Sequence, residues 1–537
     1  MALAALVIFI CLFSYLGAVG LVGPDEPRYA WIARDMTATG DWVTPRLYEH
    51  PWFEKPILYY WTGAIGFDLH LPAEWAARLP SAIAALAVAF TLGWLGWRHY
   101  GTQRDLIESP ALLAPLFFSS SVAAIGFARA ATPDMLFSAT LSLAMLAAAS
   151  VLRRGSSLRS AQPIPEKETG SDFVSLACFG AFLGLSVLAK GPAGVVLAAG
   201  AVGIWATLTN RWRSAFRLAH PIAIAAFCVV ALPWYVLCAQ RNLNFIRVFL
   251  FEHNFERYTT PMFQHKQPFW FFGAILLLAL LPWTLLLVPA VREGLSRWRD
   301  KSWADSPGFF FACWAIFPVL FFSFSQSKLP GYILPAIPPF ALLLSATWVK
   351  LREARSRSLR WIQWGLGFSW VAIGISAAFW QRRLPAEAKD ALGRPIFLCA
   401  VLAVAVGLLV IGLTIFHKHT AIPLSLFLVG ALVISAGARI LPVLDPYISA
   451  RRHAAVLAQD RRPDRIFTYH LNRSWTFGLA FYLRREIPEW SASDPEAAFL
   501  LTTPRGLEEL RKLGRFHGNL DEEFEGVLYV PVLPAPH

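Results

Sequence analysis

Charge is scarce in this chain. Asp, Glu, Lys and Arg make up 15% of its 537 residues, whereas a soluble protein carries about a quarter. A large soluble enzyme is thereby excluded. Cysteine is missing wherever it could build a covalent framework. All six, at positions 11, 178, 228, 238, 313 and 399, fall in apolar runs, and no Cys-x-x-Cys pair occurs. Neither a disulfide scaffold nor a cysteine zinc site is supported. A stripe of Lys and Arg interleaved with aromatics is also absent, so the net charge of +13 belongs to membrane loops and lipid headgroups rather than to nucleic acid.

What the chain has in quantity is apolar sequence: 56% hydrophobic residues, with 22 Trp and 41 Phe. Runs of membrane-spanning length, about 20 residues, fall near 3–22, 77–97, 109–127, 133–152, 173–189, 191–209, 218–238, 269–291, 309–325, 332–349, 362–380, 396–416 and 421–441. This predicts an α-helical polytopic membrane protein with about 13 transmembrane helices. The first run lacks a basic flank and is long for a signal peptide, so it reads as an uncleaved span. One set of alternating loops holds 19 Lys and Arg in 70 residues and the other 15 in 112. The denser set belongs in the cytoplasm. That orientation puts the N-terminus inside, and loop 23–76 and the C-terminal tail outside, in the periplasm of a bacterial inner membrane.

The loop 23–76 is too aromatic for a solvated linker. Its breaks at "TATGDW" and "EHPWFEKP" predict two short amphipathic helices, the first burying Tyr29, Ala33 and Met36, the second starting at Pro56. Beyond residue 441 the charge density rises. "RIFTYHL", "AAFLLTT" and "GVLYVPVL" read as strands and "PRGLEELRKLG" as a helix. Two units are therefore expected: a transmembrane part, 1–441, and a small periplasmic α/β domain, 442–537. The segment 153–172 has the composition of a disordered linker.

Polar residues that interrupt apolar sequence collect on the predicted outer face: Asp25 and Glu26, Glu54 and Lys55, Arg129 and Asp134, Lys190, His253 to Arg257, and Lys328. Cations in a site of low dielectric stabilise a departing phosphate, and a carboxylate can take the proton of an acceptor hydroxyl. A transporter of lipid-linked sugar is the competing class. It would place charges near the middle of broken helices, often in two repeated halves, and no repeat is found. Local roles compete too: Asp25, Glu26 and Asp134 stand at helix starts, where acids cap, and Lys55 and Lys190 stand where lysines snorkel.

The stretch "GPDEPRYAWIARDMTATGDWVTPRLYEHPWFEKPILYYW" with "EWAARLPSA" resembles the bacterial aminoarabinose transferases and their relatives the protein O-mannosyltransferases. "ARAATPDMLF", "LAKGPAG", "FEHNFERY" and "QSKLPGYILPAIPP" extend the resemblance to about residue 345. These are integral-membrane glycosyltransferases of the C type, which use a polyprenyl-phosphate sugar donor. The resemblance implies catalytic carboxylates at Asp25 and Asp134, with Glu26 beside the first. It implies donor-phosphate contacts at Lys55, Arg257 and Tyr332, with Lys328 and Lys190 nearby, and a divalent metal at Glu54 and His253. A soluble nucleotide sugar is not expected. The favoured acceptor is a lipid A phosphate, and the alternative is a Ser or Thr of exported protein.

Overall fold

The computed structural model describes residues 1–100, 109–154, 170–249, 267–304, 306–383, 386–416, 420–459, 466–491, 498–516, 523–524 and 527–532. His253, Arg257 and most of the predicted linker 153–172 lie outside them.

The chain is a multi-pass membrane protein. Among the described residues, eight helices are long and apolar enough to cross a bilayer, and up to ten if each of two bent pairs counts as one span. The pairs are Pro110–Ser119 with Val122–Ala128, bent by 62°, and Phe271–Ala279 with Trp283–Arg299, bent by 111°. Three shorter apolar helices occupy the remaining predicted runs.

One of these departs from the expected first span. Helix α1 (Ala2–Phe13) stops after 12 residues, about 18 Å at 1.5 Å per residue, well short of a hydrocarbon core of about 30 Å. The Ser14 hydroxyl donates to the Ile10 carbonyl at 2.5 Å, and Tyr15 takes a left-handed φ of 59°. Carbonyls freed at membrane depth must find donors inside the protein. Two arginines supply them. Arg129 donates to the carbonyls of Cys11 and Ile10. Arg78 donates to those of Leu16 at 2.7 Å, Val19 at 2.8 Å and Gly20 at 2.7 Å.

Two helices roof the bundle as the loop sequence predicts. They are α2 (Asp25–Thr39) and α3 (Leu58–Asp68), with Tyr29, Ala33 and Met36 buried. Between them β1 (Arg46–Leu47) and β2 (His50–Pro51) form an antiparallel hairpin. Its turn residues Tyr48 and Glu49 both have positive φ, an uncommon strain for side-chain-bearing residues. The Tyr48 ring, packed on Trp31 at 4.8 Å, offsets it. Behind the roof run α4 (Ala73–Tyr100), α5 (Pro110–Ser119), α6 (Val122–Ala128), α7 (Asp134–Arg154) and α8 (Gly170–Lys190).

The C-terminal segment contains a four-stranded sheet ordered β3-β4-β6-β5. Its strands are β3 (Ile466–Tyr469), β4 (Ala498–Thr502), β5 (Glu523–Phe524) and β6 (Val527–Val532). Strands β3 and β4 are parallel and need a crossover, which helix Arg473–Leu483 provides. The sequence reading missed that helix.

Polar contacts bind this segment to the irregular stretch after α1. Arg451 reaches Asp445 at 2.8 Å, Glu74 at 3.4 Å and the Gly17 carbonyl at 3.1 Å. The Tyr482 hydroxyl donates to Glu74 at 2.8 Å and accepts the Leu21 N–H at 2.8 Å. Only glycine fits at position 20, where a Cβ would stand 2.5 Å from Ser449 Oγ and 2.7 Å from Tyr482 Oη. Tyr482→Phe should speed hydrogen exchange at the Leu21 amide about tenfold, as expected for one lost hydrogen bond worth ~1 kcal/mol. Unchanged exchange there would show that the bond contributes nothing.

Candidate active site

The site begins where α2 begins. Gly23 has a left-handed φ of 66°, which turns the chain so that Asp25 and Glu26 occupy the first helical turn. The two neighbours then diverge. The Asp25 side chain is 48% exposed and accepts from Arg28, one turn along. Glu26, expected beside it as a catalytic acid, faces the interior instead and is 5% exposed.

Both Glu26 oxygens are taken. Arg78 donates to it at 2.6 and 3.3 Å, the Val22 N–H at 2.8 Å and the Ala131 N–H at 2.7 Å. Ser81 holds the same turn through the Ala130 carbonyl at 2.7 Å. Residues from the "RLPSA" stretch thus lock α2 to the turn that precedes Asp134, so Glu26 positions both acids rather than meeting a substrate.

From Asp25 a chain of alternating charges runs inward. Arg28, 5% exposed, also donates to Glu54 at 2.9 Å, and Glu54 lies 3.5 Å from Lys55. Lys55 lies within electrostatic reach of Asp134. Asp134, the first residue of α7, pairs with Lys190 at the end of α8. The Lys190 ammonium stands 5.1 Å over the Tyr332 ring, and the Tyr332 helical turn, Pro330–Ala336, packs so tightly that a Cβ on Gly331 would lie 3.2 Å from Asp134 Cγ. Asp25, Lys55, Asp134, Lys190 and Tyr332 are therefore connected. Lys328 is not part of this line: it is buried, and its ammonium donates to the Ser325 carbonyl at 2.5 Å.

Burial works against the Arg28 charge, but Glu54 and then Asp25 outweigh it and raise its pKa. Tyr60 sits beneath this group. Its hydroxyl is buried without a hydrogen-bond partner among the described residues, and burial with nearby Glu54 holds it protonated well above 10. Sequence reasoning named neither Arg28 nor Arg78 nor Tyr60 for the site. The i,i+3 spacing of Asp25 and Arg28 on a helix was the available signal for the first.

Two cavities open on the chain of charges. One, of about 470 Å³, is lined by Trp52, Glu54, Asn242 and Asn244 among others. The other, of about 400 Å³, is almost wholly apolar and runs between α6, helix Phe271–Ala279 and the Tyr332 turn, lined by Phe127, Leu278, Pro330 and Ile333. Glu54 faces two cations, which does not suit a metal ligand. Among the described residues no three His, Cys, Asp or Glu side chains converge.

A roof of short helices carrying acids and cations over a bundle of apolar helices is the layout of a membrane glycosyltransferase of the C type. Comparison with known proteins bears out the resemblance read from the sequence. Residues 1–249 match the family described as dolichyl-phosphate-mannose-protein mannosyltransferase. The undecaprenyl phosphate-alpha-4-amino-4-deoxy-L-arabinose arabinosyl transferase of Edwardsiella ictaluri is 33% identical over 337 residues, covering 63% of this chain and 57% of that protein. The protein of the same name from Aeromonas salmonicida is 30% identical, with 66% and 62% covered. The chain thus spans about three-fifths of the curated relatives it matches. In fold it is similar to the crystal structure of ArnT from Cupriavidus metallidurans bound to undecaprenyl phosphate. The TM-score is 0.76 at 21% identity, covering 99% of this chain and 96% of that one.

Proposed function

We propose that the protein is an inverting glycosyltransferase of the bacterial inner membrane. It takes aminoarabinose or a similar sugar from a polyprenyl-phosphate donor and transfers it, on the periplasmic side, to a phosphate of lipid A. The observation that carries this reading is the connected line of Asp25, Arg28, Glu54, Lys55, Asp134 and Lys190 beside an apolar groove. A groove without polar lining suits a polyprenyl chain, and Tyr332 with Lys190 at its end suits the phosphate. Trp52 and Glu54, in the polar cavity, suit a sugar ring.

In this mechanism an acceptor oxygen attacks the anomeric carbon. The bond from that carbon to the donor phosphate breaks, and the electron pair leaves on the polyprenyl phosphate. Lys55 and Lys190 stabilise the leaving charge. An acceptor phosphate is already ionised and needs no base, so Asp25 orients it or stabilises positive charge on the sugar. The three short apolar helices support an arrangement of thirteen spans, with the N-terminus cytoplasmic and residues 442–537 forming a periplasmic domain.

The test is purified protein with radiolabelled polyprenyl-phosphate sugar and lipid A. Label should pass to lipid A. Label carried across vesicles without any glycosylated product would overturn the enzyme reading in favour of transport. The match of residues 1–249 to a protein mannosyltransferase family supports a second acceptor, a Ser or Thr hydroxyl, for which Asp25 would act as base. Label on exported protein and none on lipid A would decide for it. Lys190→Gln should raise the donor KM about tenfold or more, the effect of losing a charge-assisted contact. An unchanged donor KM would remove Lys190 from the phosphate site.

A further inference from the structure

Along α2, Asp25, Arg28, Trp31 and Arg34 recur every third residue and form one row on the helix surface. Helix Arg473–Leu483 of the C-terminal segment lies over that row. Phe477 covers Arg28 at 5.2 Å, and Phe481, one turn on, covers Arg34 at 4.3 Å. The two arginines differ in what answers their charge. Arg28 has Asp25 and Glu54. Arg34 has only aromatic faces, Phe481 on one side and Trp31 at 5.1 Å on the other, and makes no ion pair among the described residues.

A second cation stands beside it. Helix Arg473–Leu483 is closed by Arg484 in the left-handed conformation, φ 56°, three residues after the ring that covers Arg34. The Arg484 side chain is exposed and likewise makes no ion pair among the described residues. Burial, and then the Arg484 charge, push the Arg34 guanidinium down to about 10, with Asp35 opposing them only through its field. Two guanidinium groups held together in a half-buried seam repel each other, and an anion between them turns that repulsion into attraction. Guanidinium geometry suits phosphate oxygens in particular.

Position gives the anion its identity. Arg34 lies nine residues along α2 from Asp25, about 13 Å at 1.5 Å per residue. We propose that Arg34 and Arg484 form a second phosphate subsite, which holds the non-reacting phosphate of a bisphosphorylated acceptor glycolipid while its other phosphate is presented at Asp25. A disaccharide carrying a phosphate at each end has a comparable span. The subsite rests on the reading of the protein as a transferase to lipid A, and it gives the C-terminal segment a part in choosing the acceptor.

The experiment compares bisphosphorylated with monophosphorylated lipid A as acceptors for the full-length protein in nanodiscs, with radiolabelled polyprenyl-phosphate sugar as donor. The wild type should prefer the bisphosphorylated acceptor in kcat/KM. Arg484→Asn, which suits a left-handed position, and Arg34→Gln should each reduce that preference about tenfold. A preference equal in wild type and both variants would overturn the subsite. Binding of phosphatidylcholine vesicles doped with either lipid A separates this failure from failure of the transferase reading. Should no acceptor receive sugar, the transferase reading falls, yet a binding preference lost in Arg484→Asn still supports the subsite, and the absence of any preference overturns it. Equal displacement of both lipids by soluble inorganic phosphate would likewise rule out a headgroup-specific subsite.

Discussion

Asp25→Asn should reach the membrane, fold and melt like the wild type, and transfer sugar at about a thousandth of its rate. The argument is positional. The Asp25 side chain is half exposed and its structural partner is Arg28, which keeps Glu54 when the Asp25 charge is removed. An amide has the shape of the carboxylate, so little packing changes. What disappears is a negative charge beside the reacting centre, and a positioned group of this kind contributes about 10²–10⁴ in rate. The measurement is kcat/KM for label transfer beside thermal unfolding of the purified protein. Transfer by Asp25→Asn near the wild-type rate would remove Asp25 from the chemistry, whichever acceptor is used.

The neighbouring substitution should behave in the opposite way. Glu26→Gln should destabilise the protein by about 3–5 kcal/mol, the usual cost of stripping one partner from a buried ion pair, and accumulate poorly in membranes. Glu26 accepts from Arg78 and from two backbone N–H groups. An amide leaves the Arg78 charge unanswered and turns an NH₂ toward at least one of those donors. Thermal unfolding in detergent reads the effect. A Glu26→Gln protein that melts with the wild type but transfers slowly would mean that Glu26 does chemistry after all. The pair thus offers an internal control: one acid lost without loss of fold, its neighbour lost with it.

Sequence carried the local half of this architecture. The roof helices were legible because Tyr29, Ala33 and Met36 repeat at helical spacing and Pro56 marks a helix start. The strands β3, β4 and β6 were legible as short apolar runs between turn residues. Hydropathy alone misread the stretch 14–22. An apolar segment looks the same whether its carbonyls are satisfied within a helix or by Arg78 and Arg129, which lie far along the chain. The site divided along the same line. Asp25, Lys55, Asp134 and Lys190 stood out by residue type and side of the membrane. That Lys190 meets Asp134, 56 positions away, that Glu26 turns inward, and that Phe477 covers Arg28 are facts of long-range packing. Helix Arg473–Leu483 was missed because its aromatic and β-branched residues also suit a strand.

The arginines that replace helical hydrogen bonds after α1 also impose an order on biogenesis. When the first hydrophobic segment leaves the ribosome, neither Arg78 nor Arg129 has yet been made. Free carbonyls at positions 16, 19 and 20 cannot wait in lipid, so the segment must either remain hydrated or form a provisional longer helix. Only after α4 and α6 arrive can residues 14–22 unwind onto their guanidinium groups and set Asp25 at the membrane surface. The catalytic end of α2 is then a late product of insertion, completed by parts of the chain synthesised after it.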